Sequence, residues 1–112
     1  MKAIVVHEFG GPEKLTYEDV EQPVISDDEI LVKIKAASVN HLDLWVRSGH
    51  PAYGVKLPHI LGSDGSGVVE QIGSDVTNFN EGDKVIIYPT LSCWKCEYCL
   101  VGENNLCVSS GT

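Results

Sequence analysis

The chain has 112 residues, 43% of them hydrophobic, and sixteen acidic residues against eight basic give a net charge of −8. That length holds one domain at most, and the acidic balance repels phosphate backbones and anionic lipid surfaces, which argues against nucleic-acid and membrane partners. No apolar run approaches the roughly 20 residues of a spanning helix, and the acidic residues are spread along the chain, as a solubilising charge would be.

The first element expected is a strand over Lys2–Glu8 (KAIVVHE), apolar and β-branched, broken by Gly10-Gly11-Pro12. The opening MKAIVVHEFGGPEK lacks the charged leader, long apolar run and small-residue cleavage site of a signal peptide. No N-x-S/T sequon occurs, so a reduced, cytoplasmic setting is expected. A second strand is predicted over Leu15–Val20, ending near Pro23, and a third over Ile30–Ala36 (ILVKIKA), whose two lysines fall on one face of a half-buried strand.

A short helix is predicted over His41–Ser48. Asn40 is its N-cap, and Asp43, three residues on, completes a capping-box-like pair. Leu42, Trp45 and Val46 fall on one face. Gly49 ends the helix as a left-handed residue, and Pro51 prevents continuation. Two further strands are predicted over Gly67–Ile72 and Lys84–Tyr88, the latter stopped by Pro89, with turns at Gly73-Ser74-Asp75 and Asn80-Glu81-Gly82-Asp83. Gly62, Gly65 and Gly67 are spaced G-x-x-G-x-G, with Glu70 where a dinucleotide fingerprint would carry its third glycine. With no βαβ unit around them, they are expected to permit a close approach or a bend. Irregularly spaced strands with little helix predict a mainly β, partly open barrel with one short helix.

The four cysteines of the chain then crowd together as Cys93, Cys96, Cys99 and Cys107, spaced C-x2-C-x2-C-x7-C. Four thiolates so spaced can close tetrahedrally around one structural Zn2+, a shell with no open position for substrate. Disulfides would need an oxidising compartment. The bacterial ferredoxin run ends C-x3-C-P, whereas here the last gap is seven residues and Val108 follows. A redox-active Cys93-Trp94-Lys95-Cys96 leaves the other two cysteines unexplained. The pattern favours a zinc lobe over about residues 92–108.

With these residues in view, the chain resembles the N-terminal, GroES-like domain of the medium-chain dehydrogenase/reductase superfamily, the zinc-type alcohol dehydrogenases and quinone reductases. The resemblance runs from Met1 to about Cys107. It is carried by Met1-Lys2-Ala3, by Glu29-Ile30-Leu31-Val32-Lys33-Ile34, by Leu61-Gly62-Ser63-Asp64-Gly65-Ser66-Gly67-Val68-Val69, and by Gly73 through Phe79 with Gly82-Asp83-Lys84-Val85. The cysteine segment matches C-x-x-C-x-x-C-x-x-G-x-x-N-x-C, including Gly102 and Asn105. The resemblance implies an incomplete GroES-like domain over 1–112, with no Rossmann domain in this chain. It implies NAD(P)H as cofactor only in a full-length protein, hydride transfer to or from a small-molecule carbonyl, enone or quinone, and a homo-oligomer, since in many members the zinc lobe lies near a subunit contact. The isolated chain is expected to be inactive.

The sequence departs from the alcohol dehydrogenases where they bind a catalytic zinc. Asn40 replaces the cysteine of their C-H-T-D-like motif, Ser63 and Asp64 replace the histidine and glutamate of G-H-E, and Leu42 replaces the relay hydroxyl. An amide is a poor Zn2+ ligand beside a thiolate, so the departure implies no catalytic zinc. Asn40 through Gly49 instead resembles the N-P-x-D-x-Y-x-R-S-G segment of quinone reductases. By that analogy Asn40 is the candidate catalytic residue, a hydrogen-bond donor or positioning group, Trp45 lines the substrate pocket and His41 contacts the cofactor. Each also has a plainer reading: Asn40 as an N-cap, Trp45 as core, His41 as a surface histidine. Asp43 reads as a helix-start carboxylate and Asp64 as a structural hydrogen-bonding group. The alternative to the oxidoreductase is a non-enzymatic, zinc-stabilised binding or assembly module.

Overall fold

A computed structural model describes residues 1–110. In chain order it contains β1 (Lys2–Val6), a 3-10 turn (Pro12–Lys14), β2 (Leu15–Asp19), β3 (Ile30–Ala36), α1 (His41–Ser48), β4 (His59–Ile60), β5 (Ser66–Ile72), β6 (Lys84–Ile86), α2 (Glu97–Leu100) and a second 3-10 turn (Asn104–Leu106).

The strands form two antiparallel three-stranded sheets that do not close on each other, ordered β2-β1-β4 and β3-β5-β6. In the first, β1 is central, and its Val5 and Val6, opposite Ile60 and His59 of β4, are both buried. In the second, β5 is central, and Val69 is buried opposite Val32. The β3–β5 register slips between Leu31 and Val32 and again between Ile34 and Ala36, irregularities of the kind that bend and twist a strand.

One glycine explains how tightly these two strands pair. A Cβ on Gly67 would collide with the backbone carbonyl of Lys33, so this position, expected to permit close approach, admits no side chain.

Helix α1 occupies the predicted span. Asn40 has extended backbone, and Gly49 is left-handed at φ 84°. The helix docks on the turn after β1. Gly10 donates its N–H to the Arg47 carbonyl at 3.0 Å, and the Arg47 Nε donates back to the Gly10 carbonyl at 3.2 Å. Phe9 fills the space beside Gly49, where a Cβ would stand 2.7 Å from its Cγ.

The elements differ from the sequence expectation in three respects. The strands at Lys2, Leu15 and Lys84 stop at Val6, Asp19 and Ile86. A two-residue strand, β4, pairs with β1, too short for any periodicity to show. Beyond the one expected helix lies a single helical turn, α2, which belongs to the cysteine segment.

The sheets leave much apolar surface uncovered: Ile86 is 85% exposed and Tyr88 62%. The radius of gyration is 15.7 Å, against about 13 Å for a compact chain of this length. No helix among the described residues is long and apolar enough to cross a membrane.

Candidate functional site

The cysteine lobe is assembled from turns rather than strands. Trp94 takes a left-handed conformation, φ 61°, which folds the chain back so that the N–H groups of Lys95 and Cys96 point at the Cys93 Sγ, at 3.5 and 3.2 Å. Cys96 is the N-cap of helix α2, its carbonyl accepting the Leu100 N–H at 3.0 Å. That turn carries Cys99 inward, where it is buried. Gly102, at φ 82°, redirects the chain into the 3-10 turn that delivers Cys107. The Cys107 Sγ accepts the N–H groups of Cys93 at 3.3 Å and Ser109 at 3.4 Å.

All four Sγ atoms lie within 4.8 Å of one another, and all four cysteines are free. The Cys93 and Cys99 sulfurs are 3.9 Å apart, too far for a disulfide and close to the ~3.8 Å edge of a tetrahedron with Zn–S bonds of about 2.3 Å. Backbone N–H groups of Cys99 and Val108 pull the Cys96 thiol down to about 6, and those of Cys93 and Ser109 lower Cys107. Burial pushes Cys99 up to about 11. A cation bound among them would ionise the coordinating thiols outright. Among the described residues, the buried donors without a partner, Ser92 Oγ and Asn104 Nδ2, both lie in this segment. The donor set therefore fits a structural zinc held by Cys93, Cys96, Cys99 and Cys107. The motif's Asn105 is exposed, while its neighbour Asn104 is half-buried.

The second locus surrounds the start of α1. Asn40 and Asp43 form a capping box, whose firm arm is the Asp43 carboxylate accepting the Asn40 N–H at 2.8 Å. That bond satisfies the Asp43 carboxylate, the buried charged group among the described residues. The Asn40 Nδ2 donates to the Asp64 Oδ2 at 2.9 Å. Asp64 also accepts the Ser38 N–H at 3.1 Å and the Ser38 hydroxyl at 2.7 Å. Asn40 and Ser38 together hold the Asp64 carboxyl below the usual carboxylate range.

Beside this knot lies a cleft of about 360 Å³, whose walls include Leu42, Val46, Tyr53, His59, Ser63 and Tyr88. Trp45 is not one of its lining residues. Leu42 and Val46 turn inward, while Trp45 is 44% exposed: with 100° per residue, the inner line of this helix runs through Leu42, Asp43 and Val46 and leaves Trp45 at the rim. There Trp45 stacks on Tyr53, ring centroids 6.3 Å apart and planes 10° from parallel, and meets the edge of His41 at 4.8 Å. His41 is exposed. Sequence reasoning missed Ser38 and Tyr53, which carry no motif, and read Asp64 as a structural hydrogen-bonding group without naming its partners. Among the described residues, the four cysteines form the one group of three or more His, Cys, Asp or Glu ligand atoms close enough to hold a metal.

Comparison with known proteins gives these loci a setting. Residues 26–112 match the alcohol dehydrogenase GroES-like domain. An alcohol dehydrogenase of Geobacillus stearothermophilus is 46% identical over 109 residues, covering 96% of this chain and 32% of the relative. The crystal structure of an NAD-dependent alcohol dehydrogenase superposes with a TM-score of 0.88 at 48% identity, covering 99% of this chain and 32% of its own. An Escherichia coli quinone oxidoreductase complexed with NADPH superposes at 0.71 and 34% identity, covering 77% of this chain and 26% of its own. The chain thus spans about a third of the length of the relatives it matches. The matched family model, the relatives of both activities and the open two-sheet fold with its cysteine lobe place the chain in the GroES-like domain family of the medium-chain dehydrogenase/reductase superfamily.

Proposed function

We propose that this chain forms the N-terminal portion of an NAD(P)-dependent oxidoreductase that transfers a hydride between nicotinamide and a small carbonyl, enone or quinone, without a catalytic zinc. The observation that carries this reading is the Asn40–Asp64–Ser38 knot, whose Asp64 directly follows Ser63 of the cleft wall. Its groups are amide, carboxylate and hydroxyl, with no thiolate or imidazole among them. Such a set suits hydrogen bonding to an oxygen better than holding zinc. An Asn40 N–H directed at a substrate oxygen would stabilise charge developing there as hydride arrives. Tyr53 and Leu42 supply an apolar wall, Trp45 at the rim stacks behind Tyr53, and His41 beside it is the candidate cofactor contact.

A zinc held by the four cysteines would brace the lobe, with no open position from which to polarise a substrate. The coverage of the solved structures supports a mixed character. The alcohol dehydrogenase matches 99% of the chain and the quinone oxidoreductase 77%. The setting we propose for the enzyme is cytoplasmic, and its assembly a homo-oligomer.

The test is NAD(P)H oxidation by the whole enzyme with quinone, enone and aldehyde acceptors, in the presence of a chelator that strips accessible catalytic zinc. Turnover that persists while the lobe keeps its metal supports the reading. Rapid loss of turnover with the lobe intact rejects it. The exposed apolar strand end, with Ile86 85% exposed, favours the second reading, a zinc-stabilised assembly module. Absence of nicotinamide binding by the whole protein would select it.

A further inference from the structure

We infer that Asp64 is a positioning residue for Asn40, fixing its carboxamide so that one Nδ2 hydrogen is spent on Asp64 and the other is presented to a substrate oxygen. The inference rests on the reading above, in which Asn40 serves the cleft, and adds a residue that acts through it.

The two residues are 24 apart in sequence and meet by a side-chain bond of 2.9 Å. A carboxylate can only accept, and an amide presents hydrogens on one arm and an oxygen on the other. The anion therefore selects one amide orientation, since the flipped form would set the Asn40 Oδ1 against a negative oxygen. Ser38 commits the anion in turn, donating its N–H to one carboxylate oxygen and its hydroxyl to the other, at 3.1 and 2.7 Å. With three donors already on it, Asp64 is poorly placed to act as a base. The Asn40 backbone is anchored separately by the Asp43 carboxylate at 2.8 Å. Held at both main chain and side chain, Asn40 has little rotamer freedom left to lose when a ligand binds. One Nδ2 hydrogen remains without an assigned partner, in a direction set before substrate arrives. Asn40 alone, half-buried at the helix start, would hold no such direction.

A plainer account gives the same bonds a purely structural role, stitching the loop before β5 to the start of α1. A double-mutant cycle in the whole enzyme separates the two, reading kcat and KM for a carbonyl acceptor together with the thermal midpoint. Asp64→Ala is expected to lower kcat about ten- to a hundredfold with little change in KM. Asp64→Asn, whose amide oxygen can still accept from Nδ2, should recover most of the rate. Asn40→Ala/Asp64→Ala should be no slower than Asn40→Ala, because Asp64 has nothing left to position. Should Asp64→Ala fail to fold, Ser38→Ala replaces it in the cycle, with a smaller loss that again vanishes in the Asn40→Ala background. An equal cost of Asp64→Ala with and without Asn40 overturns the inference and leaves the role of Asn40 standing. An Asn40→Ala enzyme at the wild-type rate removes the functional reading beneath it, and the inference falls with it.

Discussion

The Asn40 carboxamide is held by an anion, and that anion depends on pH. Asn40 and Ser38 depress the Asp64 pKa in the folded chain, so its contribution to stability is fully present above the unfolded carboxylate value of about 3.9. It is lost as pH falls through the lower folded value. The amide resonances of Asn40 should therefore titrate below that unfolded value in a pH series followed by NMR. The same resonances in Asp64→Asn should show no such step. At the cysteines, removing one ligand should empty the site rather than weaken it slightly, because a three-thiolate shell leaves the metal open to water and chelator. Cys96→Ser should lose the metal on dialysis against a chelator and lose amide protection across residues 92–108, while β1 and β5 keep theirs. The cysteine spacing was readable at this scale because all four ligands lie within fifteen residues. The Asn40–Asp64 contact was not, since nothing local links residues 24 apart that meet only through the packing of α1 against the loop before β5.

At the scale of elements, α1 depends on its two ends. The predicted and observed spans agree because every boundary signal is local: an Asn–Asp pair at the start, and a left-handed glycine and then a proline at the finish. Asp43→Ala removes the firm arm of the capping box and should cost about 1 kcal/mol by chemical denaturation. Gly49→Val should cost more, since it sets a β-branched residue at φ 84° and drives its Cβ into Phe9. In the second sheet, Gly67→Ala should destabilise by about 1–3 kcal/mol, because the Lys33 carbonyl against which the methyl would press is backbone and cannot rotate away. β6 was read too long because Ile87 and Tyr88 continue the apolar pattern. In the structure the ladder ends at Ile86, though the Ile87 N–H still reaches the Gly65 carbonyl at 2.8 Å. Local pattern records hydrophobicity, whereas a strand also needs a partner with free backbone groups at that register.

For the molecule as a whole, two open sheets share little buried core. Among the described residues, Val5, Val6 and Val69 are the buried aliphatic ones, and the two most buried cysteines, Cys99 and Cys107, belong to the lobe. A chain so arranged, with Ile86 and Tyr88 largely in water, depends more than most on whatever covers its sheets, and a metal in its lobe would add the closure the core lacks. Ile86→Ser should leave the denaturation midpoint of the isolated chain almost unchanged, since little area is buried there, while reducing its self-association in sedimentation experiments. The sequence foretold an open barrel from short, irregularly spaced strands. It could not show which faces stay bare, because that depends on how the two sheets are oriented. On this reading the chain holds one metal, for structure, and none where Asn40 and Ser63 replace the expected ligands. Native mass spectrometry of zinc-loaded protein tests it most directly. One zinc per chain is expected, kept in Asn40→Ala and lost in Cys96→Ser. Two zincs per chain, or one that survives Cys96→Ser and departs with Asn40→Ala, would contradict it.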